Sequence, residues 1–168
     1  YIPQISSEAN VLEVMRNKIR QLRSYYDALG HGEGALPAIR LGSATRLAGI
    51  PDKSIDYVFT DPPFGSNIFY ADSSLLWEAW LGALTDDAEE IVVNKHRAAT
   101  GGKSLTDYQQ LMTRAFREAA RILKPDAYAT LQFNNTNDEV WCAIQDSLSD
   151  AGLEVRHAVG LDKIHPSI

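Results

Sequence analysis

The chain has 168 residues, enough for one domain with a core of its own, and its 45% hydrophobic and 23% charged residues are ordinary for a globular protein. No apolar run reaches the ~20 residues needed to cross a bilayer, the single Cys142 excludes an internal disulfide or a multi-cysteine zinc site, and the four histidines show no metal-ligand spacing, so no membrane association, no metal and a reducing cytoplasm are expected. A net charge of −6 is the wrong sign for a stand-alone nucleic-acid binder, which carries a basic footprint.

Along the chain, Leu12, Met15, Ile19, Leu22, Tyr26 and Leu29 recur at alternating spacings of three and four, the mark of one helical stripe within residues 7–29. Arg16, Lys18, Arg20 and Arg23 lie mostly off it, on a solvated face. Residues 30–34, Gly-His-Gly-Glu-Gly, read as a loop, and residues 37–41 as a short strand. A helical turn at 44–48 and a turn at Pro51-Asp52-Lys53-Ser54 lead to a strand at 55–60. Asp72 or Ser73 is expected to cap a helix through about Leu81, with Trp80 facing the core. Residues 85–103 change from acidic to basic and end in Gly101-Gly102, the composition of a mobile loop with some helix in it.

Ser104 to Asp107 looks like a helix start, and Tyr108, Leu111, Met112, Ala115, Phe116, Ala119 and Leu123 continue at helical spacing until Pro125-Asp126. A strand at 127–133 follows. Thr136 to Glu139 has the form of a capping box for a helix that carries Val140, Trp141, Ile144 and Leu148, with Cys142 as a small buried residue and Gly152 as terminator. A last strand is expected at 153–161. Helices and strands thus alternate as in an α/β protein with an open sheet flanked by helices. Residues 1–36 form an N-terminal helix and loop, and residues 37–168 the main body.

The tetrapeptide Asp61-Pro62-Pro63-Phe64 at the end of the 55–60 strand is the feature with the most chemical content. The exocyclic amine of a nucleobase is a poor nucleophile, because its lone pair is delocalised into the ring. An Asp carboxylate and the main-chain carbonyl of the first Pro, both accepting from the amine, push the nitrogen toward tetrahedral geometry and stabilise the charge that builds on it. Paired prolines stiffen the turn, and the aromatic residue offers a face for the base. In a duplex this geometry requires a flipped base. The same residues also suit a plain turn at a strand end.

On these residues the chain resembles the DNA amino-methyltransferases, which modify adenine N6 or cytosine N4. The resemblance runs from about Pro37 to Leu161. It rests on Gly42-Ser43, the run Asp56 to Phe64, the segment Arg121-Ile122-Leu123-Lys124-Pro125 and the strand after it. Phe69-Tyr70-Ala71-Asp72 and Leu76 to Leu81 look most like large bacterial multi-domain adenine-specific methylases.

The resemblance implies a partial Rossmann-like fold with a mostly parallel sheet, S-adenosylmethionine as cofactor, and DNA with a flipped target base as substrate. A role in restriction-modification or phage defence would follow. It gives Asp61, Pro62, Pro63 and Phe64 a catalytic role and Ser43, Thr60 and Asp61 a cofactor role. Phe64, Tyr70, Asn134, Lys95 and Arg97 are the substrate candidates, the two cations from the 85–103 loop. Two departures stand out. Many relatives carry Gly-Asp where this chain has Gly42-Ser43, and the family's glycine-rich cofactor turn is nowhere in these residues. The chain, starting at Tyr1 without Met, therefore reads as the catalytic half of a longer enzyme, with the parent's remaining domains as partners. The alternatives are a degenerate, non-catalytic methylase module for DNA binding or scaffolding, and an RNA methyltransferase.

Overall fold

The structure, a computed structural model, describes residues 10–29, 38–94 and 102–160. The chain divides into two compact units, Tyr1–Arg40 and Leu41–Ile168. In the first, α1 (Val11–Leu29) forms over the expected stripe. Asn10 Oδ1 accepts from the backbone N–H of Leu12 at 3.0 Å and satisfies one of the free donors of the first turn.

The second unit runs β1 (Ile55–Thr60), α2 (Tyr70–Leu81), a single 3-10 turn at Asp87–Glu89, α3 (Leu105–Ile122), β2 (Leu123–Leu131) and α4 (Asp138–Asp150). β1 and β2 pair in parallel, with Tyr57 opposite Tyr128 and Thr60 opposite Leu131. This mixed helix and strand architecture is compatible with the α/β class. Near the start of the ladder Ile55 pairs with Leu123 but Tyr57 with Tyr128, so β2 carries extra residues in a bulge. Asp126 sits there at φ 63°, a left-handed conformation that Asp tolerates better than most residues.

α3 starts at a capping box. The Ser104 hydroxyl accepts from the Asp107 N–H at 3.2 Å while the Asp107 carboxylate accepts from the Ser104 N–H at 2.7 Å. Its apolar stripe meets α4 in a core of Tyr108, Met112, Phe116, Val140, Ala143 and Ile144. Close approach of the two helices depends on small residues: Ser147 is wholly buried and donates to Ala143 O at 2.6 Å and Gln109 O at 3.2 Å. Leu131 and Phe133, at and just past the end of β2, pack on the same core.

The far end of α3 anchors the entry to β1. Arg121 donates to Ile50 O at 3.0 Å, Leu47 O at 3.2 Å and Asp52 Oδ1 at 2.5 Å, and Glu118 accepts from Leu47 N–H at 2.7 Å. Lys53 N–H and Ser54 N–H then bond to the carbonyls of Arg121 and Ile122. The segment singled out by resemblance at Arg121 is thus a clamp on the loop before the motif strand.

Several expectations are corrected. Residues 38–41 form no strand, and Ile39 and Leu41 are fully exposed; Pro37 and the 30–34 loop lie outside the described residues. Residues 153–160 form no strand either, and Leu161 lies outside the described residues. A strand exists only where another backbone takes up its hydrogen bonds, and among the described residues β1 and β2 pair only with each other. The segment 44–48 is a tight turn closed by Arg46 N–H to Ser43 O at 3.1 Å, not a helical turn.

α2 begins at Tyr70, ahead of Asp72, because the Glu90 carboxylate accepts from the Tyr70 and Ala71 N–H groups at 2.5 and 3.2 Å. α3 ends at Ile122, and β2 already includes Pro125. The cap of α4 is Asn137, not Thr136: its side chain accepts from Glu139 N–H at 2.9 Å. Gly152, at φ 77°, does close α4, with its N–H on Ser149 O and that of Leu153 on Leu148 O. Trp80 is 90% exposed because α2 buries no residue. Cys142 is exposed because it lies off the stripe formed by Val140, Ala143, Ile144 and Ser147.

Candidate active site

Asp61 follows Thr60, the last residue of β1, so the motif stands at the carboxyl end of a parallel strand, the edge where open α/β sheets bind ligands. Thr60 is half-buried, and its carbonyl accepts from Gln132 N–H at 3.0 Å, which carries the pairing one step past β2.

The next residues are held by their carbonyls. Tyr108 Oη donates to Pro63 O at 2.7 Å. Asn135 Nδ2 donates to Phe64 O at 2.8 Å, and Val93 N–H donates to Gly65 O at 3.1 Å. Three consecutive carbonyls are therefore tied to α3, to the loop after β2 and to the segment before α3. Tyr108 is fully buried, and that burial pushes its phenol above the ordinary value, so the hydroxyl keeps the proton it donates. Gly65, buried at φ 74°, turns the chain where a Cβ would meet Val140 Cγ1 at 3.4 Å.

Asp61 and Pro62 are treated differently. Among the described residues no hydrogen bond reaches the exposed Asp61 carboxylate or the carbonyl of Pro62, although Pro62 is buried. Two acceptors that adjoin in sequence are thus left open just where the following three are closed.

The Phe64 ring is half-buried and packs edge-on against Phe133, with centroids 5.1 Å apart, and Phe133 meets Trp141 the same way at 4.8 Å. Trp141 Nε1 donates to Asn135 O at 2.8 Å, so the residue that holds Phe64 O is itself held by α4. Beside the motif loop lies a cavity of about 330 Å³ lined by Ser66, Phe69, Val93, Leu105, Asn137, Glu139 and Val140.

The other expected site residues are not gathered here. Ser43 is spent within its own turn. Its hydroxyl meets Thr45 Oγ1 at 2.8 Å and accepts from Thr45 N–H at 3.2 Å, while Thr45 donates to Glu89 at 2.8 Å. Tyr70 is the half-exposed first residue of α2, bonded through its backbone to Glu90. Asn134 is exposed, and the neighbouring Asn135 makes the structural contact. Lys95 and Arg97 lie outside the described residues. The described ends of their segment are tied down: Val92 is buried, Asn94 and Lys103 bridge through both backbones, and Lys103 Nζ donates to Glu90 O at 2.6 Å.

Two residues that hold the loop, Tyr108 and Asn135, were not among the site residues expected from the sequence. A signal for Tyr108 was present, because a tyrosine on the buried stripe of a helix needs a partner for its hydroxyl. The chain matches no protein-family model, no curated protein and no solved structure.

Proposed function

We propose that this chain is the catalytic part of an S-adenosylmethionine-dependent methyltransferase that acts on the exocyclic amine of a nucleobase, adenine before cytosine. The observation that carries the reading is the pair of open acceptors at Asp61 and Pro62, set at the carboxyl end of β1 beside three carbonyls that are each already bonded. An amine has two N–H bonds to give. Asp61 takes one and the Pro62 carbonyl the other, which favours a pyramidal nitrogen with its lone pair free to attack. Phe64 contributes a stacking surface braced by Phe133. S-adenosylmethionine, when bound, supplies the methyl group. Ser43 does not fit the cofactor role well, since its hydroxyl is engaged by Thr45. On this reading the cofactor cradle belongs to the remaining domains of a longer parent protein.

The engaged Ser43 also favours a second reading, a methylase-like module that binds nucleic acid or scaffolds without catalysis. One measurement separates them: transfer of label from methyl-labelled S-adenosylmethionine to single-stranded adenine- or cytosine-containing oligonucleotides by the full-length gene product. The native protein is expected to label adenine, and Asp61→Ala to slow the transfer by at least about 100-fold while nucleic-acid affinity stays unchanged. Transfer at a near-native rate by Asp61→Ala, or none by the native protein, would favour the module.

A further inference from the structure

Five apolar residues of α1 form a two-position seam, with Val11 and Tyr25 beside it at the seventh position and Val14 away from it at the third. With Leu12, Ile19 and Tyr26 at the first position of a heptad and Met15 and Leu22 at the fourth, the repeat alternates three and four throughout, the pattern of a helix that pairs along its length with another helix. The five residues of this seam are 47–65% exposed. A lone helix of this length is marginal in water, since most helical stability in proteins comes from packing of the apolar face.

The flanks of the seam tell which helix would fit. In this register Arg16 and Arg23 occupy the fifth position and Lys18 the seventh, the places that face a partner's charges across a coiled coil. Neither position holds an acid; Glu13 and Asp27 fall on the second position, away from the seam. A second copy of α1 in parallel would set Lys18 against Arg23, and an antiparallel copy would set Arg16 against Arg23. Either pairing opposes like charges, which weakens association and selects against that partner.

From the seam and its flanks we infer that α1 is a docking helix for an acidic amphipathic helix, one with its own apolar seam and Glu or Asp at the flanking positions. The interaction would be heterotypic, with the apolar seam supplying affinity and Arg16, Lys18 and Arg23 supplying the choice of partner. It is independent of the chemistry at Asp61.

The test uses the 168-residue chain and two fluorescent synthetic helices with the same leucine and isoleucine seam, one flanked by glutamates and the other by lysines. Anisotropy titration is expected to show the acidic helix binding at least about tenfold tighter, with the difference shrinking as salt is raised. Reversal of the three charges (Arg16→Glu, Lys18→Glu, Arg23→Glu) should invert the preference. Ile19→Asp should abolish binding, and Ile19→Ala, which keeps helix propensity, should weaken it with helical circular dichroism retained. Equal affinity for the two helices, or no binding of the acidic one, would overturn the inference. So would a dimer of the chain in sedimentation equilibrium that Ile19→Asp dissociates. Capture of the chain by phosphatidylglycerol vesicles in preference to the acidic helix would assign α1 to a lipid surface instead.

Discussion

Helices α2 and α3 both lie between the two strands in sequence and both are rich in apolar residues, yet α3 buries Tyr108, Leu111, Met112, Phe116 and Ile122 while α2 buries nothing. The reason is in the spacing. The apolar residues of α3 return every three or four positions and make one stripe, which α4 covers together with residues such as Leu131 and Phe133. In α2, Leu75, Leu76, Trp77, Ala79, Trp80 and Leu81 follow almost without interruption and wrap the helix, so it would need cover on every side. The contrast extends to the motif. The α3 side supplies the fixed contacts of the Asp61 loop through Tyr108 and the core, whereas Trp77 and Trp80 stand in solvent at 75% and 90% exposure. Tyr57, Phe59 and Tyr128 are likewise more than half exposed on the sheet. The α3 side of the motif loop is built, whereas α2 and the sheet leave large apolar side chains exposed.

The largest test of that contrast is truncation on each helix. Phe116→Ala, in the α3–α4 core, is expected to cost about 3–5 kcal/mol in urea denaturation. Trp80→Ala on α2 removes a larger side chain and is expected to change stability by no more than about 0.5 kcal/mol. Equal losses would mean that α2 is packed in solution and that the contrast is wrong.

Tyr108→Phe sharpens the comparison by removing one oxygen. The core keeps its ring, but Pro63 O, part-buried, loses its donor, at a cost of about 1–3 kcal/mol. If the proposed methyltransferase reading holds, the transfer rate of the full-length protein should fall as well, because the loop that carries Asp61 loosens. A variant as stable as the native chain would show that Pro63 O finds another partner and that α3 does not hold the loop.

How far the sequence showed these features depended on the range of the interactions. β1, α1, α3 and α4 were legible because their signals are local: an apolar strand after a turn, a three-four repeat, a Ser-x-x-Asp start, a glycine stop. The described parts of the strands expected at 37–41 and 153–161, residues 38–41 and 153–160, form none: their apolar residues fit a sheet, but no neighbouring strand among the described residues accepts their backbone groups. The Asp61 motif was visible as a tetrapeptide. Its support was not, since Tyr108 and Asn135 lie 45 and 71 residues from the carbonyls they hold. Nothing in the local sequence marks such a pair.

Gly65→Ala addresses the same loop from the backbone. At φ 74° an added Cβ costs about 1–2 kcal/mol in strain. The nearest atom, Val140 Cγ1 at 3.4 Å, can yield slightly, so strain rather than collision should set the loss. Gly82, also left-handed at φ 72°, ends α2 with nothing within 4 Å of the added atom. A Gly82→Ala loss of the same size, read by thermal melting, would show that both substitutions report φ alone. A clearly larger loss at Gly65 would add the packing of the motif loop against α4.

The smallest effect expected is in the acid limb of stability, and it again separates the two helices. Glu118 on α3 is hydrogen-bonded first by Arg121 and then by the Leu47 N–H, which lowers its carboxyl from an ordinary 4.5 to about 2. Glu78 on α2 is lowered too, but by Thr85, its near neighbour in the chain. A carboxyl that binds its proton less readily when folded adds stability that is fully present above its unfolded value and is lost as pH falls through the folded value. For Glu118 that window runs from about 4.5 down to about 2. In urea titrations, Glu118→Gln should therefore be less stable than the native chain near neutrality, with the gap closing through this window. The effect should be modest, because the partners lie at the surface, where water screens the charge. Loss of Glu118 frees the 47–54 loop that leads into the motif strand, whereas Glu78→Gln frees only the turn after α2. The entry to β1 should accordingly exchange its amide hydrogens faster in Glu118→Gln and not in Glu78→Gln. A gap that stays constant with pH, or equal exchange in both variants, would mean that the Arg121 clamp does not hold the motif strand in place.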